Sequence, residues 1–258
     1  MKITSIKRTI RNTKRLAEIV GVLSRFGFRQ LILDTGLHRL LGSAKEEELA
    51  TSPTSSSESI PYPVRVRMVL EALGPTFIKL GQILSTRPDL IPPEWAAEFK
   101  KLQDSCQHIE FKEIYKVLTL EFPGRLDQLF STIEETPLAA ASIAQVHRAK
   151  MRDGSSVVVK VLRPGARELI EEDMALVETL AQLLEQYFAD LGYSPTAVVK
   201  EFSREILKEI NLVIEGQSTE RLRRYFEDDD NISFPKVYWT ATTRNVLTMQ
   251  EVKGRLLS

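Results

Sequence analysis

The 258-residue sequence has one cysteine, no long apolar run and no net charge. Because Cys106 is alone, an internal disulfide and a cluster of thiolate metal ligands are excluded, and a reducing compartment is favoured. We interpret Cys106 as a buried bystander, with a reactive thiol as the less favoured alternative. No apolar stretch approaches the roughly 18 residues that a membrane span needs, so we expect no transmembrane segment. The 35 basic and 35 acidic residues balance, and we therefore expect no nucleic acid partner.

Basic charge is concentrated at the N-terminus, where residues 1–40 contain nine lysines and arginines against two acidic residues. Apolar positions among them follow a helical period, at Leu16, Ile19, Val20, Leu23 and Phe26. We expect Gly27 and Gly36 to divide this segment into short helices. Two interpretations stay open: a helical extension docked on the body of the protein, and a basic amphipathic surface lying on an anionic membrane. The same helices are also able to pair in a homodimer.

Composition divides the chain into four segments. Residues 1–42 are the basic amphipathic extension, and residues 43–63, rich in serine, threonine and glutamate, are predicted to be a flexible linker. Residues 64–128 form a second helical extension, with one helix to about Leu73, a break at Gly74-Pro75, a helix through "TFIKLGQILS" and another from Pro93 to about Asp104. The fourth segment, 129–258, begins with alternating apolar and polar residues.

This fourth segment is predicted to be an antiparallel sheet with long helices, an α+β fold. Asp153-Gly154 is typical of a hairpin turn between two of its strands. The predicted strands lie near 130–136, 143–151 and 155–162, followed by helices over about 165–190 and 195–226 and by two strand candidates, "FPKVYWTAT" and "NVLTMQEV".

Lys160 is the first candidate for chemistry, because "VVVK" is a strand that ends in lysine. A small-residue hairpin, such a strand, a helix with glutamates and a closing strand follow one another as in the small lobe of a protein kinase, where this lysine binds ATP phosphates. A surface lysine at a strand end is the common alternative. The lysine needs an acidic partner, and periodicity alone leaves five open: Glu201, Glu205, Glu209, Glu215 and Glu220.

Two further motifs are less specific. Lys79 and Gln82 lie on one helical face around Gly81, a pattern that an ordinary solvent-facing helix edge explains equally well. The stretch "LTMQEVKG" predicts a strand that turns at Gly254, in the place of a kinase hinge. Histidines 38, 108 and 147 are far apart in sequence, so we predict no metal site in this chain.

Together these motifs resemble one family. The stretches "IKLGQILSTRPDLIP", "PLAAASIAQVHRA", "VVVKVLRPG", "KEINLVIEG" and "NVLTMQEVKG" are similar to the UbiB family of atypical kinases, named for ubiquinone biosynthesis and also called aarF-like. The similarity runs from about residue 16 to the end of the chain. A Lys-x-Gly-Gln motif combined with an alanine-rich loop is specific to this family. The implied fold is a kinase-like small lobe with an N-terminal helical extension.

The resemblance implies roles for individual residues. Lys160 is implied to bind phosphates and Glu215 to orient it, as the catalytic pair of this segment. An alanine-rich loop replaces the glycine-rich loop of ordinary kinases. Its Cβ atoms disfavour positive φ, so the loop has fewer backbone conformations open to it. The implied nucleotide-binding residues are Ala139, Ala140, Ala141, Ser142, Lys160, Met249 at the back of the pocket, and Gln250, Glu251 and Val252 in the hinge.

The resemblance also implies a regulatory latch. Lys79 and Gln82 would fold across the cleft, with Glu209 pairing with Lys79, which argues against a protein substrate. The family's Glu-x-Asp motif falls on Glu209 and Asn211, and the asparagine departs from it by losing a charge.

ATP and Mg²⁺ are the implied cofactors, with the metal ligands outside this chain. Neither a His-Arg-Asp nor an Asp-Phe-Gly motif is present, so we expect this segment alone to be catalytically inactive, with the large lobe absent. The implied partners are ATP or ADP, together with membrane lipid or prenylquinone-pathway proteins. We expect a cytoplasmic protein peripheral to a membrane, or on the equivalent face of an organelle. The alternative is an inactive lipid- or protein-binding adaptor of the same fold.

Overall fold

The computed structural model describes residues 2–37, 60–102, 108–187, 194–252 and 254. Most of the predicted linker at 43–63 lies outside these residues, as do Cys106 and His38. The chain divides into two compact units, each built from two segments. The helical unit consists of residues 1–103 and 168–204, and the sheet unit of residues 104–167 and 205–258.

Among the described residues, one long helix and four shorter ones make up the start of the helical unit. They are α1 (Lys2–Arg25), α2 (Arg29–Asp34), α3 (Tyr62–Leu73), α4 (Pro75–Ser85) and α5 (Pro93–Phe99), with a 3₁₀ turn at Lys100–Leu102. The predicted breaks are confirmed: Gly27 has φ +81° and Gly74 has φ +92°, a region that favours glycine. Pro75 is the first residue of α4. A backbone N–H at that position would have no acceptor within the helix, so the proline costs no hydrogen bond.

Two further helices, α8 (Ala166–Tyr187) and α9 (Pro195–Glu209), contribute most of their residues to the same unit. The core of the helical unit is aliphatic and aromatic, and its fully or nearly fully buried side chains include Ile19, Ile32, Phe77 and Ile170. One ion pair lies among them, between Arg15 and the completely buried Asp173. No helix of the described residues has the length and apolarity that crossing a bilayer requires.

The sheet unit contains an antiparallel meander in the order β1-β2-β3-β4. Its elements are α6 (Phe111–Glu121), α7 (Leu126–Leu129), β1 (Phe130–Ala140), β2 (Ala144–Met151), β3 (Ser156–Leu162), α10 (Leu212–Tyr225) and β4 (Val246–Gln250). The predicted hairpin is present, with Gly154 at φ +86° and the Asp153 carboxylate accepting from the Ser155 N–H. The predicted α+β class is confirmed.

The two faces of the sheet differ in burial. Val157, Val159 and Val161 of β3 are completely buried in a core with Ile114 and Leu118 of α6. The intervening Val158 and Lys160 point to the opposite face and are half-buried, because side chains alternate along a strand. One face of the sheet therefore supplies the core, and the other remains accessible.

Two predicted elements are wrong. The single helix predicted over 195–226 is two helices, α9 and α10, that break at Ile210–Asn211. The predicted strand "FPKVYWTAT" is an isolated bridge from Val237 to Met249 followed by a 3₁₀ turn at Trp239–Ala241. Trp239 leaves the strand direction because its ring packs near Gly216 of α10.

Candidate functional site

Lys160 and Glu215 meet on the accessible face of the sheet. The Lys160 Nζ donates to both carboxylate oxygens of Glu215, at 2.9 and 2.7 Å. The side chains are 26% and 37% exposed, so the pair is within reach of solvent and of a ligand. Of the five glutamates that periodicity left open, this one contacts the lysine.

A glycine allows α10 to approach the sheet closely enough for this pair to form. A Cβ built on Gly216 would lie 3.1 Å from Leu247 Cδ1 and 3.2 Å from the Trp239 ring. Both distances are shorter than ordinary van der Waals contacts. Leu247 is also the cross-strand partner of Lys160, so the helix contacts β4 directly beside the lysine. Gly216 thus sets the distance between α10 and β4.

The first turn of α10 is held by a network that the sequence analysis missed. The Leu212 N–H donates to the Arg244 carbonyl at 3.0 Å. Arg167 donates to the Ile210 carbonyl and, at 3.2 Å, to the Asn245 side chain. Asn245 in turn donates to Glu121 at 2.7 Å. These residues belong to other elements, so no local pattern in the sequence indicated them.

The alanine-rich loop is shorter than the sequence suggests. Ala139 and Ala140 are the last residues of β1, and the chain has turned into β2 by Ala144. The Ala141 N–H donates to the Ala144 carbonyl at 2.8 Å, which closes the turn. Arg163 donates from its Nε to the Ala141 carbonyl at 3.0 Å and ties the loop to the end of β3.

An apolar surface lies beside Lys160. Strand register pairs Val146 with Lys160 and Val158 with Met249, so these four side chains share one face of the sheet. All four are half-buried. Val146 and Val158 were missed as site residues, although the alternation in "VVVK" was a signal that could have identified Val158.

The predicted hinge begins at Gln250, the last residue of β4. The Gln250 N–H donates to the Lys236 carbonyl at 2.8 Å, and the Glu251 N–H donates to the Ser156 carbonyl at 3.1 Å. The Glu251 carboxylate also accepts from Arg148 at 2.9 Å. These contacts fix the strand end, while the side chain of Val252 is 60% exposed.

A buried polar pair lies on the core face of β2, next to the alanine-rich loop. Gln145 accepts from the Ile109 N–H at 3.0 Å and donates from Nε2 to the Ile109 carbonyl at 3.2 Å. The same Nε2 lies 3.0 Å from His147 Nε2, which must therefore accept, so that Nδ1 carries the hydrogen and donates to the Glu134 carbonyl at 2.8 Å. His147 is thus a neutral imidazole, and burial lowers its pKa below the ordinary value.

The predicted latch residues lie in different units. Gln82 donates to the Leu102 carbonyl at 3.0 Å within the helical unit, which also contains Lys79. Glu209 is the last residue of α9 and belongs to the sheet unit. The pairing of Lys79 with Glu209 stays a prediction.

Metal coordination has no candidate cluster within residues 2–37, 60–102, 108–187 and 194–252. No three His, Cys, Asp or Glu side chains there come together as a metal site would require. Around Lys160 the accessible face offers an ammonium, a carboxylate and an apolar surface, a combination that suits phosphates and a planar ring better than a bare ion.

Comparison with known proteins decides the family. A sequence profile described as the ABC1 atypical kinase-like domain matches residues 101–258. The chain belongs to the ABC1 atypical kinase-like family. This confirms the predicted resemblance, since two relatives are named probable protein kinase UbiB. The one from Actinobacillus pleuropneumoniae is 35% identical over 97% of this chain, and the one from Pseudomonas putida is 37% identical over 93%.

The ABC1 assignment extends to structure. A solved complex of Rv3197 from Mycobacterium tuberculosis with erythromycin is 27% identical, matches with a TM-score of 0.52, and covers 72% of this chain and 47% of its own. The kinase-like fold prediction is thereby confirmed. The chain spans about half the length of the curated relatives it matches, 47% and 45% for the two UbiB proteins.

Proposed function

We propose that this chain is the nucleotide-binding portion of an ABC1-family atypical kinase or ATPase. The observation that carries the proposal is the Lys160–Glu215 pair on an accessible sheet face. A lysine held by a helix glutamate is the arrangement with which kinases bind the phosphates of ATP. Ala141, whose carbonyl accepts from Arg163, and the adjacent Ser142 would cover those phosphates.

The adenine ring has a suitable surface next to the phosphate lysine. Val146, Val158 and Met249 are half-buried and lie on the same face as Lys160, so a planar ring would cover apolar surface there. The N–H groups of Gln250 and Glu251 already donate within the protein. Val252 is therefore the hinge residue best placed to donate to adenine.

Phosphoryl transfer is proposed to need residues outside this chain. Mg²⁺ neutralises charge on the β- and γ-phosphates when it is bound, and its ligands in kinases are an aspartate and an asparagine of the large lobe. We therefore propose that the chain binds nucleotide weakly and does not turn it over. Lys79, Gln82 and Glu209 are proposed to exclude protein substrates.

The biological role proposed for the whole protein is prenylquinone or related isoprenoid-lipid metabolism at a membrane. Two relatives bear the name UbiB, and the family name refers to ubiquinone biosynthesis. The basic N-terminal segment supports the membrane location, because lysine and arginine side chains are attracted to anionic lipid.

Thermal unfolding with Mg-ATP and with Mg-ADP tests the proposal. A ligand at 100 times its dissociation constant adds about 2.7 kcal/mol to the free energy of unfolding. We expect stabilisation of the wild type and of Lys150→Ala, a control on the neighbouring strand, and none of Lys160→Ala. A full-length UbiB relative serves as positive control for the assay. If the relative is stabilised and this chain is not, nucleotide binding by this chain is refuted.

An inactive adaptor is the second candidate, and one observation favours it. Asn211 stands where the family motif has aspartate, and its side-chain oxygen is buried with no hydrogen-bond partner among the described residues. An amide cannot provide the negative charge that an aspartate supplies. If Asn211→Asp gains nucleotide affinity while the wild type has none, the adaptor function is supported over the enzymatic one.

A further inference from the structure

A large apolar cavity lies inside the helical unit, and its lining differs in composition from the proposed nucleotide site. Its volume is about 450 Å³, and helices α1, α3, α4, α8 and α9 contribute to its walls. Every lining residue is aliphatic or aromatic, and the polar side-chain atoms among them are those of Tyr62 and Trp95. Such a lining offers hardly any hydrogen-bond partners, so it suits a hydrocarbon and disfavours a polar ligand.

The volume limits the length of that hydrocarbon. An apolar cavity of about 150 Å³ binds benzene, so a cavity three times as large holds roughly fifteen to eighteen carbon atoms. A helix with its side chains is about 10 Å wide and rises 5.4 Å per turn, so the same space takes about one helical turn. A single lipid chain therefore fits the cavity, whereas a docking helix does not.

An arginine beside two of the lining rings indicates the charge of the head group. Phe28, Tyr62 and Trp95 all line the cavity, and Tyr62 packs edge-on against Phe28 and beside Trp95. Tyr62 is 46% exposed, so this part of the lining reaches the surface. The Arg65 guanidinium lies 5.1 Å from the ring centroids of both Phe28 and Tyr62. Its Nε is buried and has no hydrogen-bond partner among the described residues. The guanidinium carries a positive charge beside these lining rings, and Arg65 as a whole is only half-buried, so an anionic head group would be attracted to it.

We infer that the helical unit binds one hydrocarbon chain of an anionic lipid, with the chain in this cavity and the head group at Arg65. Ile19 and Leu23 of α1 line the cavity, and the sequence of the same helix is basic in its first half. The inference rests on the proposed role in lipid metabolism at a membrane, and it names the class of lipid that would bind. It does not depend on nucleotide binding.

Fluorescence titration of the purified chain with cis-parinaric acid tests the cavity. We expect saturable one-to-one binding that Val198→Phe weakens by about tenfold or more, because its ring takes volume from the cavity. Val66→Phe on α3 is a second filling variant. Ala197→Phe is the matched control, since Ala197 is exposed on the same helix as Val198 and should bind within about twofold of the wild type.

Competition with palmitate, farnesyl phosphate and hexadecanol tests the head group. We expect both anionic lipids to compete better than neutral hexadecanol, and Arg65→Met to remove that preference. Stronger competition by palmitate would identify the ligand as an acyl lipid. Stronger competition by farnesyl phosphate would identify it as an isoprenoid lipid.

Three results would overturn the inference: no saturable binding, equal binding by both filling variants and the wild type, or self-association that palmitate disrupts, which would make a second copy the occupant. Titration of the same samples with a fluorescent ADP analogue separates a failure here from a failure of the nucleotide site. Urea unfolding of each variant, which depends on neither ligand, shows that it is folded.

Discussion

Lys160 and Glu215 are 55 positions apart in the sequence, and the lysine Nζ lies within 2.9 Å of both oxygens of the Glu215 carboxylate. Both side chains are partly exposed, and ion pairs of this kind contribute only about 0.2–1 kcal/mol to stability. The pair is therefore proposed to orient the ammonium rather than to stabilise the fold. Substitutions in this pair therefore distinguish a defect in nucleotide binding from a defect in folding.

Glu215→Gln is expected to weaken nucleotide binding by about tenfold, equal to about 1.4 kcal/mol, because the amide no longer holds the Lys160 ammonium by charge. The free energy of unfolding should fall by less than about 1 kcal/mol. Isothermal titration with ADP and urea unfolding measure the two effects. Glu220→Gln is the control, since Glu220 lies on the same helix and pairs with Arg223 instead. Equal effects of both substitutions on binding would contradict the role of Glu215.

Gly216→Val is expected to destabilise the sheet unit by about 1–3 kcal/mol, because the added methyl groups enter space occupied by Leu247 and Trp239. The displaced helix would also carry Glu215 away from Lys160 and weaken nucleotide binding. Gln217→Val introduces the same side chain at the next, exposed position and should have little effect. Urea unfolding of the two variants checks this, and a Gly216→Val variant as stable as Gln217→Val would disprove the close approach.

Arg15→Ala is expected to lower the free energy of unfolding by about 3–5 kcal/mol, because it leaves the Asp173 carboxylate buried without its partner. Arg15 also donates to the Leu73 carbonyl at 2.6 Å, so one side chain joins three helices of the helical unit. Arg87→Ala is the control: its partners Asp89 and Glu201 are exposed, and the loss should stay below about 1 kcal/mol. Combining Arg15→Met with Asp173→Leu should restore much of the stability, whereas a further large loss would contradict this explanation.

The stability of the protein is expected to decrease as the pH falls below about 6.5, the ordinary pKa of histidine. Burial lowers the pKa of His147, so in this range the unfolded chain takes up a proton that the folded chain does not. The free energy of unfolding therefore falls with pH until the pKa of the folded state is passed. Urea unfolding between roughly pH 7.5 and pH 5, which spans the histidine range, measures the slope. His147→Gln should flatten it, and the exposed His108→Gln should leave it unchanged.

Glycine and proline made much of the fold predictable. Gly74-Pro75 and Asp153-Gly154 mark a helix break and a hairpin that the structure contains, because these residues act locally on the backbone. The break between α9 and α10 has no such marker. It depends on the bond from Arg167 to the Ile210 carbonyl and on the bond from Leu212 to the Arg244 carbonyl, and both bonds join residues distant in sequence.

The same distinction applies to the candidate site. Strand alternation placed Lys160 on the face opposite the core, and the family motif pointed to Glu215. The cavity at Arg65 was not predicted, because its lining residues read as ordinary apolar positions of several separate helices. The contacts of Gln145 with Ile109 and with His147 were not predicted either, because no local sequence pattern indicates them.

The contact between Arg163 and the Ala141 carbonyl has a kinetic consequence. The turn that Arg163 holds is only a few residues long, so we expect the loop to move together with the end of β3. Lys160 lies in that strand, three residues before Arg163. A flap that must open and close would impose its own rate on nucleotide exchange. In the proposed nucleotide site the alanine turn and Lys160 would move as one rigid piece, and the residence time of a nucleotide would be set by its contacts rather than by the motion of a cover.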